Sequence, residues 1–475
     1  MVINQSQLTK LARVKGYDQK DTICALATPA GIGAIGVVRL SGENAIDICN
    51  KVFPSKDLSA QKANTLHVGQ LADKGQVIDE VVVSIFKSPK SYTGEDIVEI
   101  SCHGSPYVQG EVIRLLLSKG ARMAKEGEFT FRAFINGKLD LSQAEAVADL
   151  IASDSKASRD LAISQLRGGY ASRLKDLRDQ LIHFASMLEL ELDFSEEDVD
   201  FADRDQLEKL VGTLHIAVDQ MIQSFEYGNA IKQGVPVAII GEPNVGKSTL
   251  LNQILKEDRA IVSEIPGTTR DVIEDVVNID GVIFRFIDTA GLRESADIIE
   301  EIGILKARQK AEMARIVLYV LDASNTDKAS FERAVANVPT NESAKTFFVL
   351  NKIDHMDPHV LEQLKVDLVS KEHLVYVSAK NNQGVDHLLR LIQQHIQSGV
   401  SEGEGVTVTN ARHLESLKNC KKALDRTSDG IADKRSSEFL AMDVKQALHF
   451  LGEITGEVTT DDLLGNIFSR FCIGK

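Results

Sequence analysis

The residues best suited to chemistry in this 475-residue chain cluster in its second half. Gly241-Glu242-Pro243-Asn244-Val245-Gly246-Lys247-Ser248 fits G-x-x-x-x-G-K-S/T. Such a loop aims backbone N–H groups at phosphate oxygens, and a following helix adds partial positive charge. Lys247 would reach the β- and γ-phosphates and Ser248 would ligate Mg²⁺. Asn244, Val245, Gly246 and Thr249 belong to the same loop and helix start. Further along, Asp288-Thr289-Ala290-Gly291 offers a carboxylate for the Mg²⁺ shell and a Gly291 N–H for the γ-phosphate. Asn351-Lys352-Ile353-Asp354 and Ser378-Ala379-Lys380 follow in order. The Asp354 carboxylate can accept from both donors on the N1–N2 edge of guanine. Adenine has no matching donor pair and would leave that carboxylate unpaired, so GTP is favoured over ATP.

The residue after Gly291 is Leu292, where Ras-like proteins place a water-orienting glutamine. Leucine cannot orient water. Hydrolysis must recruit another polar group, and Glu294, Asp297, Glu300 and Glu301 all follow on the same segment. Any of them could instead be a solvated helix face.

These motifs need strands and helix starts beneath them. Apolar runs at 235–240, 282–287, 346–350 and 374–377 each end where a motif begins, and 249–255 reads as the helix after the phosphate loop. The whole is a Ras-like α/β P-loop domain over 231–399. Upstream, 21–138 mixes strands at 35–40, 81–86 and 97–101 with helical runs, an α+β domain with turns at Ser41-Gly42 and Thr93-Gly94. From Leu139 the pattern is helical. Ser142 and Glu145 have capping-box spacing, further helices are expected over 157–193 and 204–226, and an acidic stretch at 194–201 interrupts them. The pattern changes at 228–234. After a Gly/Ser/Glu linker at 398–405, helical periodicity returns from 411 to the end. The economical organisation is a helical domain, 139–230 and 400–475, interrupted by the inserted nucleotide domain.

The formal charge of −15 argues against nonspecific coating of nucleic acid. Five cysteines, far apart and never in a CxxC pair, give no zinc site and no disulfide framework. A reducing cytoplasm is the expected compartment. Residues 1–20 lack an apolar core and read as a flexible leader, and no run is long enough for a transmembrane helix. Gly31-Ile32-Gly33-Ala34-Ile35-Gly36 fits G-x-G-x-x-G, but a strand-like run follows where dinucleotide binding needs a helix. FAD or NAD is therefore not expected on this chain.

Pro266-Gly267-Thr268-Thr269-Arg270-Asp271, Asn244 in the phosphate loop and DTAGLRE at 288–294 resemble the translation-factor-related GTPases with a hydrophobic residue at the glutamine position. TGEDIVE at 93–99, GEFTFRAFINGKLDLSQAEA at 127–146 and the end Phe471-Cys472-Ile473-Gly474-Lys475 narrow this further. Over residues 21–475 the chain resembles the MnmE (TrmE) family of tRNA-modification GTPases.

That resemblance implies an N-terminal folate-binding, dimer-forming module carrying a one-carbon unit on a tetrahydrofolate derivative. It implies a homodimer working with the FAD-dependent partner MnmG (GidA). Together they would install a (carboxymethyl)aminomethyl group at C5 of the wobble uridine of certain tRNAs. Folate residues would be Arg39, Glu99, Lys138 and Lys475. The cations suit the anionic tail and the carboxylate suits pterin N–H donors. Locally, Arg39 could equally be a strand-surface charge and Glu99 a cross-strand partner. The family's K⁺ site falls on Asn244, Ser263, Ile265 and Thr268, and Thr269 would be the second Mg²⁺ side-chain ligand. Ser263, Glu264, Ile265, Pro266, Gly267, Thr268 and Thr269 would line GTP. The family's general-base-like glutamate falls on Glu300, beside Glu301. Cys472 is a candidate tail thiol, or a small apolar residue closing an expected helix over 462–471. Without the N-terminal module and the tail, the motifs would fit a GTP-dependent assembly or signalling switch, such as a ribosome-maturation GTPase, equally well.

Overall fold

Period-two alternation builds the first sheet. In β2 (Ile35–Ser41), Gly36, Val38 and Leu40 point to the core while Val37 and Arg39 take the other face. The computed structural model describes residues 21–193, 203–257, 275–279, 281–287, 314–336, 338, 344–368, 373–397, 407–469 and 471–475. Within these, β2 belongs to a six-stranded sheet with β1 (Ile23–Leu26), β3 (Thr65–Asp73), β4 (Gln76–Phe86), β5 (Ile97–His103) and β6 (Arg122–Met123). The order is β3-β4-β5-β2-β1-β6, antiparallel except for β1–β6. The three strands expected from the sequence are present, and β4 begins earlier, at Gln76. β3 was not expected; its hairpin turn into β4 is Lys74-Gly75 with φ of 48° and 87°, the positive values a two-residue turn needs. The inner face packs on the helices Ala45–Asn50 and Pro106–Ser118, burying Val38, Leu40, Val83, Ile100 and Leu116.

The chain divides into two compact units. One takes in the chain up to Ala152, Ala162–Val218 and Glu415–Lys475; the other takes in Ser153–Leu161 and Asp219–Leu414. In the first unit the last helix, Asp461–Phe468, lies on Glu128–Ile135. Phe131, Phe134, Leu464, Phe468 and Phe471 share one core, with the Phe131 and Phe468 rings edge-on at 5.2 Å. Gly127 permits this approach: at φ 65°, an added Cβ would stand 2.6 Å from the Phe468 carbonyl oxygen. The expected helix over 462–471 therefore ends at Phe468, and Cys472 does not close it.

Three other expectations need correction. The cap of the helix Leu141–Ala152 is not Ser142/Glu145. Asp140 Oδ1 accepts from Gln143 N (2.8 Å) and Gln143 Oε1 accepts from Asp140 N (2.9 Å). It is the same reciprocal motif two residues earlier, in which Asp serves because its carboxylate reaches the N3 amide as well as Ser would. Ser142 sits inside the helix and donates to Asp140. The helical stretch expected over 157–193 is two helices, Lys156–Leu166 and Gly169–Asp193, broken at Gly168 (φ 105°). The next helix, Arg204–Gln233, does not stop near 226. It runs through Gly228, whose missing side chain lets Val408 O pass where an added Cβ would meet it at 2.2 Å. The acidic stretch 194–201 and the linker 398–405 lie outside the described residues.

The second unit is built on another six-stranded sheet. Its strands are β7 (Val235–Ile240), β8 (Asp275–Ile279), β9 (Val282–Phe286), β10 (Ile316–Asp322), β11 (Lys345–Asn351) and β12 (Leu374–Tyr376). The order is β12-β11-β10-β7-β9-β8, parallel except for β8–β9. Helices such as Lys247–Glu257 and Val385–Gln397 flank it. Near-continuous apolar strands such as β7 are what a parallel sheet covered on both faces requires. Because β7 lies between β9 and β10, the loop after it opens into a crevice at the carboxyl ends of the strands. Among the described residues, no helix is long and apolar enough to cross a membrane.

Candidate functional sites

The phosphate loop leaves β7 and enters Lys247–Glu257. Gly241 (φ 145°) and Gly246 (φ 96°) both hold conformations that L side chains rarely adopt. An added Cβ would meet Val320 O or Asn351 Nδ2, each at 2.2 Å. Asn244 stands between them at φ 62°, a region asparagine tolerates better than most residues. The Lys247 ammonium curls over the loop and donates to Gly241 O (2.8 Å) and Glu242 O (2.7 Å). This is a cation held where backbone amides converge at a helix start, with Ser248 next in line. Val245 is buried and Thr249 exposed within the same turn and helix.

Asn351 ties the loop to the base side of the crevice. Its Nδ2 donates to Val245 O (2.8 Å) and its Oδ1 accepts from Ala379 N (3.0 Å), so one buried amide joins three motifs. Asp354 accepts from the Ser378 hydroxyl at 2.6 Å. That bond holds the Asp354 carboxyl below its ordinary pKa against a smaller desolvation effect, so it stays ionised, the form that accepts from guanine. Lys352, at φ 68°, caps the short 3-10 turn Ile353–His355 and donates to Asp322 Oδ2 at 2.8 Å. Burial would raise the Asp322 pKa, but hydrogen bonds from Lys352 and Ser324 outweigh it and the pKa is lowered. Lys380 follows in the same loop, its charge also favouring ionised Asp354. Asp322 was not singled out from the sequence, where its signal is an acid closing the apolar run 316–321.

Ser263, Glu264, Ile265, Pro266, Gly267, Thr268 and Thr269 lie outside the described residues. So do Asp288, Thr289, Ala290, Gly291, Leu292 and the acidic candidates Glu294, Asp297, Glu300 and Glu301.

The other site forms in the first unit, on the outer face of its sheet. Arg39 on β2 stands opposite Glu99 on β5 in register. Its Nε donates to Glu99 Oε1 at 2.8 Å and its Nη2 lies 2.8 Å from the same oxygen. The cross-strand pair foreseen as the local alternative is real, and it sits inside a larger cradle. The guanidinium lies 5.6 Å from the Tyr92 ring centre and 5.7 Å from that of Phe129, within cation–π range. Arg39 Nη1 also reaches Gly474 O at 3.5 Å. The tail comes this close because Ile473 bridges to Glu126 and Gly474 (φ 102°) packs on β1, where an added Cβ would lie 2.2 Å from Leu26 O. Lys475 is half-buried here. Burial, then the Arg39 cation, lowers its pKa, with Glu99 and Cys472 opposing. Cys472 is exposed beside it. Lys138 is exposed, its Nζ donating to Pro89 O at 2.9 Å and its stem lying against Gly94. Arg39, Glu99 and Lys475 thus meet in one place, and Lys138 stands on the neighbouring loop. The 31–36 glycine motif runs straight into β2, so no helix follows it.

A buried ion network under this cradle went unforeseen. Arg132 is 3% exposed and Glu128 is fully buried. Arg132 pairs with Asp21, Glu95 and Glu128, while Arg122 pairs with Asp21 and Glu128. Burial lowers and the surrounding carboxylates raise the pKa of both guanidiniums, and the carboxylates prevail. The block GEFTFRAF carried the signal: an acid and an arginine four residues apart among buried apolar residues.

Comparison with known proteins decides the family. Residues 22–138 match the model of the GTP-binding protein TrmE N-terminus, and residues 141–472 match that of the MnmE helical domain. A tRNA modification GTPase MnmE from Cytophaga hutchinsonii is 53% identical over 96% of this chain and 98% of its own. The chain belongs to the MnmE family of tRNA modification GTPases. Family members from Flavobacterium psychrophilum and Bacteroides thetaiotaomicron, each 49% identical, cover the same 96% of this chain and 99% and 100% of their own. This member is accordingly a GTP-hydrolysing enzyme. A crystal structure of Era with MgGDPNP and part of 16S ribosomal RNA is 28% identical. It covers 40% of this chain and 66% of its own, at a TM-score of 0.26, a likeness too slight to bear on function.

Proposed function

We propose that this enzyme couples K⁺-dependent GTP hydrolysis to modification of the wobble uridine of certain tRNAs in the cytoplasm. It would add a (carboxymethyl)aminomethyl group at C5 together with an FAD-dependent MnmG-type partner. The observation that carries this reading is that one chain holds two unlike sites: a phosphate and guanine scaffold joined by Asn351, and a cationic cradle of Arg39 and Lys475 around Glu99. A bare switch has no use for the second. Reduced folate suits it, with cations for the anionic tail and a carboxylate for pterin N–H groups; bound there, folate would supply the one-carbon unit. Arg39, Glu99, Lys138 and Lys475 would hold it, with Cys472 at its edge.

In the nucleotide site, Ser248 and Thr269 would hold Mg²⁺. Asn244 with Ser263, Ile265 and Thr268 would hold K⁺, placing positive charge against the phosphates where other GTPases insert an arginine. Glu300 would orient the attacking water that Leu292 cannot. A second copy of the chain would cover the outer sheet face, where Ile35 at the start of β2 and Leu66 and Val68 on the edge strand β3 are exposed. The test is nucleoside analysis of tRNA from cells lacking this protein. Loss of the C5 modification is expected, and its persistence would overturn the reading. Equal GTP turnover in Na⁺ and K⁺ would remove the potassium site.

A further inference from the structure

The loop 88–96 contributes no charged residue to the proposed folate set, yet it touches two of the residues in it. Tyr92 backs the Arg39 guanidinium, and Gly94 and Pro89 meet the Lys138 stem and ammonium. Ser88 bonds within the loop to Asp96 and Gly94, and Ser91 bonds to Glu95 O, while the Glu95 side chain ties the loop to the buried network and to β2. Its carboxylate accepts from Arg132 Nη1 (3.1 and 3.2 Å) and from Ser41 Oγ (2.7 Å). Ser41 Oγ also pairs with Thr93 Oγ1 at 2.7 Å, and both hydroxyl residues are fully buried. Thr93 Oγ1 accepts from Glu95 N, Asn136 donates to Thr93 O at 2.7 Å, and Tyr92 OH pairs with Thr130 Oγ1 at 2.8 Å. Ser41 lies two residues from Arg39 on the same face of β2. The chain of contacts therefore runs from buried Arg132 through Glu95 to Ser41 and Thr93. It then passes to Tyr92, and so to Arg39.

We infer that Glu95 is a positioning residue for the Arg39 cradle: clamped between Arg132 and Ser41, it fixes the 88–96 loop so that Tyr92 backs Arg39 and Pro89 holds Lys138. This deepens the folate reading above and rests on it for the ligand's identity. Glu95 is one of three carboxylate partners of Arg132. Without it Arg132 keeps Asp21 and Glu128, so two guanidiniums would still face two carboxylates.

The test uses the full chain as Glu95→Ala, Glu95→Gln and Ser41→Ala. It reads tetrahydrofolate affinity by calorimetry, hydrogen exchange of the 88–96 amides, and the Nε–H resonance of Arg39, assigned by its absence from Arg39→Ala. GTP hydrolysis and thermal stability are followed alongside. Glu95→Ala should weaken tetrahydrofolate binding by about tenfold or more, speed exchange across 88–96 and move the Arg39 resonance, with GTP hydrolysis unchanged. Glu95→Gln, which still bridges a donor and an acceptor, should restore most of the affinity. Ser41→Ala should give a smaller loss in the same direction and serves if Glu95→Ala fails to fold. Weakened binding with exchange and the Arg39 resonance unmoved would overturn the inference, as would unchanged behaviour in all readouts. If the wild-type chain binds no tetrahydrofolate, the folate reading falls, while exchange and the Arg39 resonance still decide whether Glu95 positions the cradle.

Discussion

The nucleotide scaffold and the Arg39 cradle solve the problem of holding an anionic ligand by opposite means. The scaffold is made from backbone. Two glycines at positive φ and Asn244 curl the loop, a helix start supplies the partial charge, and one buried amide, Asn351, links loop to loop. The cradle is made from side chains that arrive from far apart in sequence: Arg39 and Glu99 from paired strands, Tyr92 from a loop, Phe129 from a helix, Gly474 and Lys475 from the tail. A backbone site is local and tolerates motion elsewhere in the chain. A side-chain site depends on every element that carries a piece of it, and a buried ion network lies beneath this one.

Damage to one site that crosses to the other would show that the two are not independent. The largest effect is expected at Glu300, which lies outside the described residues. Glu300→Ala should slow GTP hydrolysis by roughly 10²–10⁴-fold, the scale of a positioned acid–base group, with GTP and tetrahydrofolate affinities nearly unchanged. If Glu301→Ala does this instead, the register is one residue off.

Asp354→Asn should lower GTP affinity by about 10²-fold, through charged hydrogen bonds lost, and shift preference to xanthosine triphosphate. Competition binding with the two nucleotides reads this, and undiminished GTP affinity would refute the base-recognition argument.

Gly474→Ala strikes the cradle alone. Residue 474 would have to leave φ 102° or push its Cβ from Leu26 O, a strain on the scale of 1–3 kcal/mol. Tetrahydrofolate affinity should fall by about tenfold as the tail shifts from Arg39, with GTP hydrolysis unchanged. A parallel fall in hydrolysis would show that the sites are not separate.

The smallest effect concerns the second unit's stability. His395 is partly buried beside Phe347, with ring centres 6.1 Å apart. Its pKa is lowered from 6.5 by desolvation, then by Lys345, His373 and Arg315, with Glu226 opposing. The unfolded chain therefore binds this proton more readily than the folded one. Stability is full above about pH 6.5 and falls as pH drops from there through the depressed folded value. His395→Gln should flatten that slope by about 1–3 °C in the midpoint between pH 7.5 and 5.5, read by differential scanning calorimetry. An unchanged slope would show that another group sets the pH dependence.

The difference between the two sites also explains what could be read in advance. A phosphate loop, an Asn-Lys-x-Asp and a Ser-Ala-Lys are contiguous because backbone geometry over four to eight residues does the work, so sequence order alone declared the nucleotide domain and its base. The strands under them were legible because a sheet buried on both faces leaves continuous apolar runs. The strand β3 was not, because an edge strand with one open face mixes His67, Gly69 and Gln70 among its apolar residues. The cap at Asp140 was misplaced by two residues because Asp-x-x-Gln and Ser-x-x-Glu overlap there and only hydrogen-bond geometry separates them.

The sequence by itself determined that this chain holds guanine nucleotide through a P-loop domain, and its motifs carried the family. Only the tertiary structure decided that Arg39 sits between two aromatic rings and that the tail's Gly474 closes on β1. It also decided that Glu95, Arg132 and Ser41 hold the loop between them. Those contacts join residues up to 435 positions apart. No local spacing encodes them, because strand register and helix packing, not chain order, bring the charges together.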